Sequence, residues 1–530
     1  MAARPSAFHA LMAALALAAG AAFAHPAAAQ GPATRSTSPA LARAAATITP
    51  ADVYARIEFL ASDLMRGRNT PSPELDIAAS YLVNQYKLLG FQPGGEGGTF
   101  YQRYPYPMRA LDTASVHFGV VDGAGQNRML AYGTDFYAAP AYATPAAQAA
   151  GIDMNHAKLL YVGRVGPAGL PAGDYRGAAP VVSIPGPSNR TWRQAVTRAR
   201  ERAQAAGATA VVVVADAVVG DSTFARLAAA SRNPARALVQ PGEVAVFYLT
   251  HAAAAALARQ AGVDLDALPP TPAAPVALTG LQAHFTANAR FVDQATAPNV
   301  VAILPGSDPA LRGEYVVVSA HMDHLGVGRP VNGDSIYNGA DDDASGTAGI
   351  LEVAQAMASL PVRPRRSVVF LHVSGEEKGL LGSRWFSDHP TLPLDHIVAD
   401  INVDMIGRNS PDSVVVIGKT YSTMGAQVNA IRAAHPELHL VAADDIWPQE
   451  QFFFRSDHFN FARKEVPAIF FFSGVHADYH RPSDEVEKID TDKAARTARL
   501  VFYLANDVAN ATARPRWDAK GLEEVRAMVR

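Results

Sequence analysis

The sequence predicts an α/β fold: a mostly parallel sheet with helices on both faces, interrupted by a smaller inserted α/β unit. Three observations predict it. From Val300 onward, short apolar runs (VVAILPG, YVVVSAH, RSVVFLHVSG, HIVADINVDMIG, VVVIGK and VPAIFFFSG) alternate with segments of helical period, the pattern of strands joined by helical crossovers. Residues 137–285 have a different texture, rich in Ala, Pro and Gly with their own short strands, and read as a separate small unit. Residues that carry chemistry gather just beyond the apolar runs, at the carboxyl ends of strands, where open α/β sheets hold their ligands.

Taken in order, residues 1–29 have the three parts of an export signal: Arg4, the apolar run LMAALALAAGAAFA, and small residues ending in Ala27-Ala28-Ala29 before Gln30. An uncleaved anchor is the alternative, but the run is shorter than the ~20 residues that span a bilayer. Cleavage would place the mature protein in the periplasm or the medium. Residues 30–48 read as a linker. In the first part of the larger unit, 49–136, Pro50-Ala51-Asp52 after Thr49 starts one helix, and Leu75 to Leu89 carries a second before Gly90. The inserted unit shows LLYVG, PVVSI, a helix through TWRQAVTRARERAQ, a stop at Gly207 and the buried strand TAVVVV. The second part of the larger unit runs over 286–512, and 513–530 form a peripheral tail.

At 530 residues the chain exceeds what one core supports, and its composition, 49% hydrophobic and 18% charged, is that of a folded globular protein. A formal charge of −3 offers no field for nucleic acid, and no stretch after the leader is long and apolar enough for stable membrane insertion. There are no cysteines, so any metal must be held by His, Asp and Glu.

The most informative stretch is Tyr315 to Gly346, YVVVSAHMDHLGVGRPVNGDSIYNGADDDASG. Val316, Val317 and Val318 read as a strand buried on both faces, delivering His321 and Asp323 past its end. Asp341, Asp342 and Asp343 then precede an alanine-rich helix. Ser345 or Asp343 could cap that helix, but one cap does not need three mutually repelling carboxylates, and a dication would relieve them. Testing each strand end gives a consistent set: His321, Asp342, the pair Glu376-Glu377, Asp404 and His480. Two imidazoles and at least three carboxylates on one face of one sheet suffice for two dications sharing a carboxylate and a water.

The motifs HMD, NGADDDASG, SGEEKGLLGS, NVDMIG and DYHRPSDE together resemble those of the M28 metallopeptidases, a family of leucyl-type aminopeptidases and glutamate carboxypeptidase relatives. The inserted unit resembles a protease-associated domain through patterns such as AAGATAVVVV. The resemblance implies an enzyme with two zinc ions that acts on peptide substrates, and the leader adds the expectation that it is exported. It implies that Asp342 bridges the ions, that His321 and Asp404 complete one shell and Glu377 and His480 the other, and that Glu376 is the general base. Asp323 would accept the second N–H of the His321 ring, and Tyr479 would stand near a developing oxyanion. His324, His372, His389, His458 and His476 are assigned structural places, and Phe452-Phe453-Phe454 core or pocket wall. An aminopeptidase is expected to use acidic groups for the substrate ammonium, among them Asp445, Glu450, Asp478 and Asp484. A carboxypeptidase would need a guanidinium for a terminal carboxylate, for which Arg408, Arg455 and Arg481 are available. A non-catalytic binding protein on this fold would have lost ligands, and here none is missing.

Overall fold

A computed structural model describes residues 38–139, 154–166, 169–184, 190–215, 221–238 and 244–529. The expected leader, residues 1–29, lies outside the described residues, as do residues 30–37 of the expected linker; the rest of that stretch is no plain linker, since it forms the helix Pro39–Ala45 with Leu41, Ala44 and Ala45 buried. The larger unit is built on one sheet, whose strands in chain order are β1 (Gln92–Pro93), β2 (Tyr101–Pro105), β3 (Thr296–Leu304), β4 (Tyr315–His321), β5 (Ser367–Val373), β6 (Ile397–Val403), β7 (Ser413–Ile417), β8 (Val441–Ala443) and β9 (Ala468–Phe472). Their spatial order is β1-β3-β5-β4-β6-β9-β7-β8, with β2 also paired to β3.

β4 lies inside this sheet, hydrogen-bonded in parallel to β5 and to β6, and β6 is parallel to β9. A strand with neighbours on both edges and helices on both faces has no solvated side, which is why Val316, Val317 and Val318 are consecutive and fully buried. Each contributes about 1.5–3 kcal/mol relative to an exposed side chain. Val316 and Val318 pack into the core under the helices Gly346–Ala358 and Thr491–Asn510, and Val317 into the opposite core with Phe386 and Phe461. The sheet is mixed rather than parallel throughout: β3 runs antiparallel to β1, β2 and β5, and β7 antiparallel to β9. VVAILPG is therefore a strand as expected, but a reversed one.

Chain order across the middle of the sheet places the site. From β4 the chain crosses one way to β5 through the helix Gly346–Ala358, then returns past β4 to β6 through the helix Leu381–Asp388. The crevice where such crossovers diverge is where doubly wound sheets bind ligands, and the carboxyl ends of β4, β5, β6 and β9 open on it.

The inserted unit has its own eight-stranded sheet and its own apolar clusters. Its boundary differs from the expected 137–285. His117–Asp122 pairs with Val276–Thr286, and Asn127–Met129 pairs with His117–Asp122, so these residues belong to the insert. The ingoing strand Met108–Leu111 and the returning strand Ala289–Phe291 pair with each other, so the insert begins near Asp112. Among the described residues no helix is long and apolar enough to cross a membrane.

Candidate metal centre

The five strand-end groups converge. His321 is the last residue of β4, Glu376 and Glu377 follow β5, Asp404 follows β6, and His480 follows β9 after a loop. The three aspartates turn out to have separate tasks. Asp343 accepts from the amide of Gly346, the first residue of the helix, at 2.8 Å, and also from the Met405 amide (3.1 Å) and the His321 amide (3.3 Å), tying the ends of β4 and β6 together. Asp341 accepts from the Gly407 amide (2.7 Å) and the Ser345 hydroxyl (3.1 Å). The Asp342 carboxylate is left to face the imidazoles: its Oδ1 is 3.2 Å from His321 Nε2 and its Oδ2 is 3.2 Å from His480 Nε2. The middle aspartate is thus placed to bridge, and the Asp342–Asp343 peptide is cis.

Two groups of donor atoms share Asp342: His321, Asp342 and Asp404, and His324, Asp342 and Glu377. In the first, His321 Nε2 is 3.5 Å from Asp404 Oδ1, yet both atoms are buried without a hydrogen-bond partner. Asp404 Oδ2, by contrast, is fixed by the Ser456 hydroxyl at 2.8 Å. In the second, His324 Nδ1 is 2.8 Å from Glu377 Oε1 and 3.9 Å from Asp342 Oδ2, and again Nδ1 and Oε1 have no hydrogen-bond partner. His480 Nε2 lies 3.1 Å from Glu377 Oε2, with its ring 36% exposed. Buried polar atoms without partners are costly and rare. Nitrogen and carboxylate donors that crowd together without hydrogen-bond alignment have the chemistry and spacing of a dication's ligands, and the borderline-soft set suits zinc.

The electrostatics agree. Burial alone would lower His321, but Asp404, Asp323 and Asp342 outweigh it and hold the imidazole well above its ordinary value. Burial likewise opposes the charge on His480, and Asp342 and Glu377 raise it to about 10. Burial pushes Glu376 well up, reinforced by Glu377, Asp457 and Asp404. Asp404 is also raised by burial. Asp342 is driven the other way: burial would raise it, but His321 and His480 hold it well below the carboxylate range. So dense a group of carboxylates demands positive charge, which cations supply.

Asp323 does not take the expected part. His321 Nδ1 is 3.1 Å from the Asp323 carbonyl oxygen and 3.7 Å from its carboxylate, so the backbone orients the ring. The carboxylate is engaged elsewhere: Oδ2 accepts from the Thr70 hydroxyl at 2.8 Å and Oδ1 from the Glu376 amide at 3.3 Å. Asp323 therefore links the β4 end to the backbone of the expected base. Tyr479 stacks on His480 with centroids 3.8 Å apart, and burial followed by the nearby carboxylates pushes its hydroxyl up. It lines a cleft with Asp342, Glu376, Asp404, Phe452, Arg455, Phe470, Phe472 and Val475. Asp478 and Asp484 are not free for a substrate ammonium: Asp478 pairs with Arg408 (2.9 Å) and Lys488 (2.8 Å), and buried Asp484 accepts from the amides of Asp341 and Asp342.

Of the five histidines assigned structural places, His372 bonds the Tyr86 hydroxyl at 2.7 Å and His458 packs between Phe453 and Phe470; burial lowers both to about 3. His389 stacks on Trp385. His476 Nε2 stands 3.3 Å from Asp341 Oδ2. His324 is the exception, because it joins the donor atoms. The signal was present in HMDHLG, three residues beyond His321, but nothing in that spacing set it apart.

Comparison with known proteins adds the family. The model of Peptidase family M28 matches residues 299–505. This region belongs to peptidase family M28. The M28 region contains all eight residues singled out from the sequence. A probable leucine aminopeptidase of Arthroderma benhamiae is 29% identical over 223 residues, 41% of this chain and 58% of that protein. Leupeptin-inactivating enzyme 1 of Streptomyces exfoliatus is 28% identical over 200 residues, 37% of this chain and 39% of that one. The chain thus spans little more than half the length of the first of these relatives. Among solved structures, an aminopeptidase from Aneurinibacillus sp. strain AM-1 is 19% identical, with TM-score 0.44, covering 88% of this chain and 95% of that one. A Peptidase M28 precursor from Shewanella amazonensis SB2B is 17% identical, with TM-score 0.45, covering 90% and 97%.

Proposed function

We propose that this protein is an exported dizinc exopeptidase that removes N-terminal residues from peptides. The observation that carries the reading is the pair of donor-atom groups sharing Asp342 at the carboxyl ends of the sheet, in one cleft with Glu376. His321 and Asp404 would hold one ion, Glu377 and His480 the other, and Asp342 both. Bound there, two zinc ions would polarise a peptide carbonyl and make a water between them acidic near neutral pH.

The chain's own residues do the rest. Glu376, its amide held by Asp323, takes the proton from the attacking water and returns it to the leaving amine. Burial favours this, since it raises the carboxylate's affinity for a proton. The Tyr479 hydroxyl, kept protonated by burial, is available to donate to the carbonyl oxygen as charge develops on it. Phe452, Phe470, Phe472 and Val475 make an apolar wall for the side chain of the first residue. The names of the leucine aminopeptidase relatives support an apolar preference. We read the insert as a protease-associated domain fastened beside the cleft: Glu201 on its helix Arg190–Ala205 pairs with Arg384 at 2.7 Å, on the helix that follows the Glu376-Glu377 turn.

One observation favours the carboxypeptidase reading: the Arg455 guanidinium lines the cleft, stacked over Phe452 at 4.7 Å and only 3.5 Å from Glu450. Zinc-loaded enzyme assayed on leucyl-p-nitroanilide, its N-acetyl derivative and N-blocked dipeptides separates the two. Cleavage of the free amine alone supports the aminopeptidase. Release of C-terminal residues from blocked dipeptides, with no action on free amines, replaces it with a carboxypeptidase that uses Arg455.

A further inference from the structure

We propose that His324 is a ligand of the second metal ion, so that three imidazoles, not two, serve the pair of ions. The inference rests on the dizinc reading above and adds to it a residue outside the ligand set that the family resemblance implies. His324 is fully buried, three residues beyond His321 and just past the end of β4. Its Nδ1 is closer to Glu377 than His480 is, at 2.8 Å against 3.1 Å, and the two imidazoles take different oxygens of that carboxylate, Oε1 and Oε2. At 2.8 Å a plain hydrogen bond would align the ring N–H with its acceptor, but neither Nδ1 nor Oε1 has a hydrogen-bond partner. Nδ1 also lies 3.9 Å from Asp342 Oδ2, and donor atoms of His324, Glu377 and Asp342 come together closely enough to share one ion. Nε2 has no partner either, so no hydrogen bond elsewhere turns the ring away.

The loop is built to admit the ring. The His324 amide donates to the Arg68 carbonyl at 3.4 Å, and the residue bridges Asn69. Gly339, two residues before Asp341, has φ +61°, and a Cβ there would overlap both the His324 ring and the Asp342 carbonyl oxygen. Buried Arg68 donates to the carbonyls of Met322, Asn338 and Gly339, clamping the two loops that carry His324 and Asp342. Glycine at 339, inside the motif NGADDDASG, and arginine at 68, outside the recognised motifs, thus hold His324 against the centre.

Zinc K-edge X-ray absorption on the wild-type holoenzyme counts imidazoles directly and needs no variant. The expected result is three imidazoles shared over two ions; two would overturn the inference. Elemental analysis after dialysis against graded zinc buffers then compares wild type with His324→Phe, which keeps the ring volume, and His324→Asn, which restores a polar atom near Nδ1. The Phe variant should hold one ion as tightly as wild type and the other at least ~10-fold more weakly, with partial recovery in the Asn variant. Wild-type affinity for both ions in both variants would refute the role of His324 and leave the dizinc reading intact. A wild type that binds no zinc would instead remove that reading and this one with it.

Discussion

Replacing Glu376 by Gln isolates the proton acceptor from everything else at the centre. Gln has the same shape and remains neutral, and Glu376 lies outside both donor-atom groups, so the ions should stay. The turn that positions it is fixed by backbone: the Glu376 amide donates to Asp323 at 3.3 Å and the Gly375 amide to the Thr70 hydroxyl at 3.0 Å, bonds that the substitution leaves in place. What disappears is a buried carboxylate whose proton affinity its surroundings raise. General-base catalysis is worth ~10²–10⁴-fold, or about 3–5 kcal/mol of barrier at 1.36 kcal/mol per decade. Because the group acts on the attacking water and not on bound peptide, the loss should fall on kcat with KM little changed. The assay is steady-state hydrolysis of leucyl-p-nitroanilide by wild type and Glu376→Gln, with zinc content measured on the same samples. A variant within 10-fold of wild type with both ions bound would refute the assignment. A variant that has lost an ion would make Glu376 a ligand instead.

Other outcomes follow from the same structure. Asp342→Asn should lose zinc and activity together, as elemental analysis will read. Asp341→Asn should retain more zinc but unfold earlier by about 1–3 kcal/mol in denaturant titrations, since its buried oxygen serves the Gly407 amide and Ser345. Gly339→Ala should destabilise even the chelated protein by about 1–3 kcal/mol, because φ +61° and the crowding of His324 both penalise a Cβ. Burial raises Asp457 to about 7 from an unfolded value near ~3.9, so its contribution to stability is fully present below that value and is lost as pH rises through 7. Wild type should therefore lose stability relative to Asp457→Asn between pH 5 and pH 8; parallel profiles would refute this.

The parallel middle of the sheet and the groups at its strand ends were legible because both follow from local pattern. A strand buried on two faces must be continuously apolar, as β4 is, and a metal ligand must stand where that apolar run stops. The direction of β3 was not legible, since an antiparallel neighbour buries the same residues as a parallel one. The insert's first strands, His117–Asp122 and Asn127–Met129, precede the Ala- and Pro-rich stretch that marked the unit, so composition placed the boundary too late. His-x-Asp spacing suggested a carboxylate behind the His321 ring, but the 3.1 Å carbonyl distance shows the backbone in that place. Asp478 and Asp484 looked available for an ammonium until their partners were seen. His324 could not be told from four other spare histidines without knowing that Gly339 opens a place for it beside Glu377.

The most direct test of the central claim is to strip the protein with a chelator and titrate zinc back, following leucyl-p-nitroanilide hydrolysis against equivalents added. The dizinc site predicts no activity in the stripped protein and a rise that levels off at two equivalents per chain. Activity that survives chelation, or full recovery at one equivalent, would contradict it.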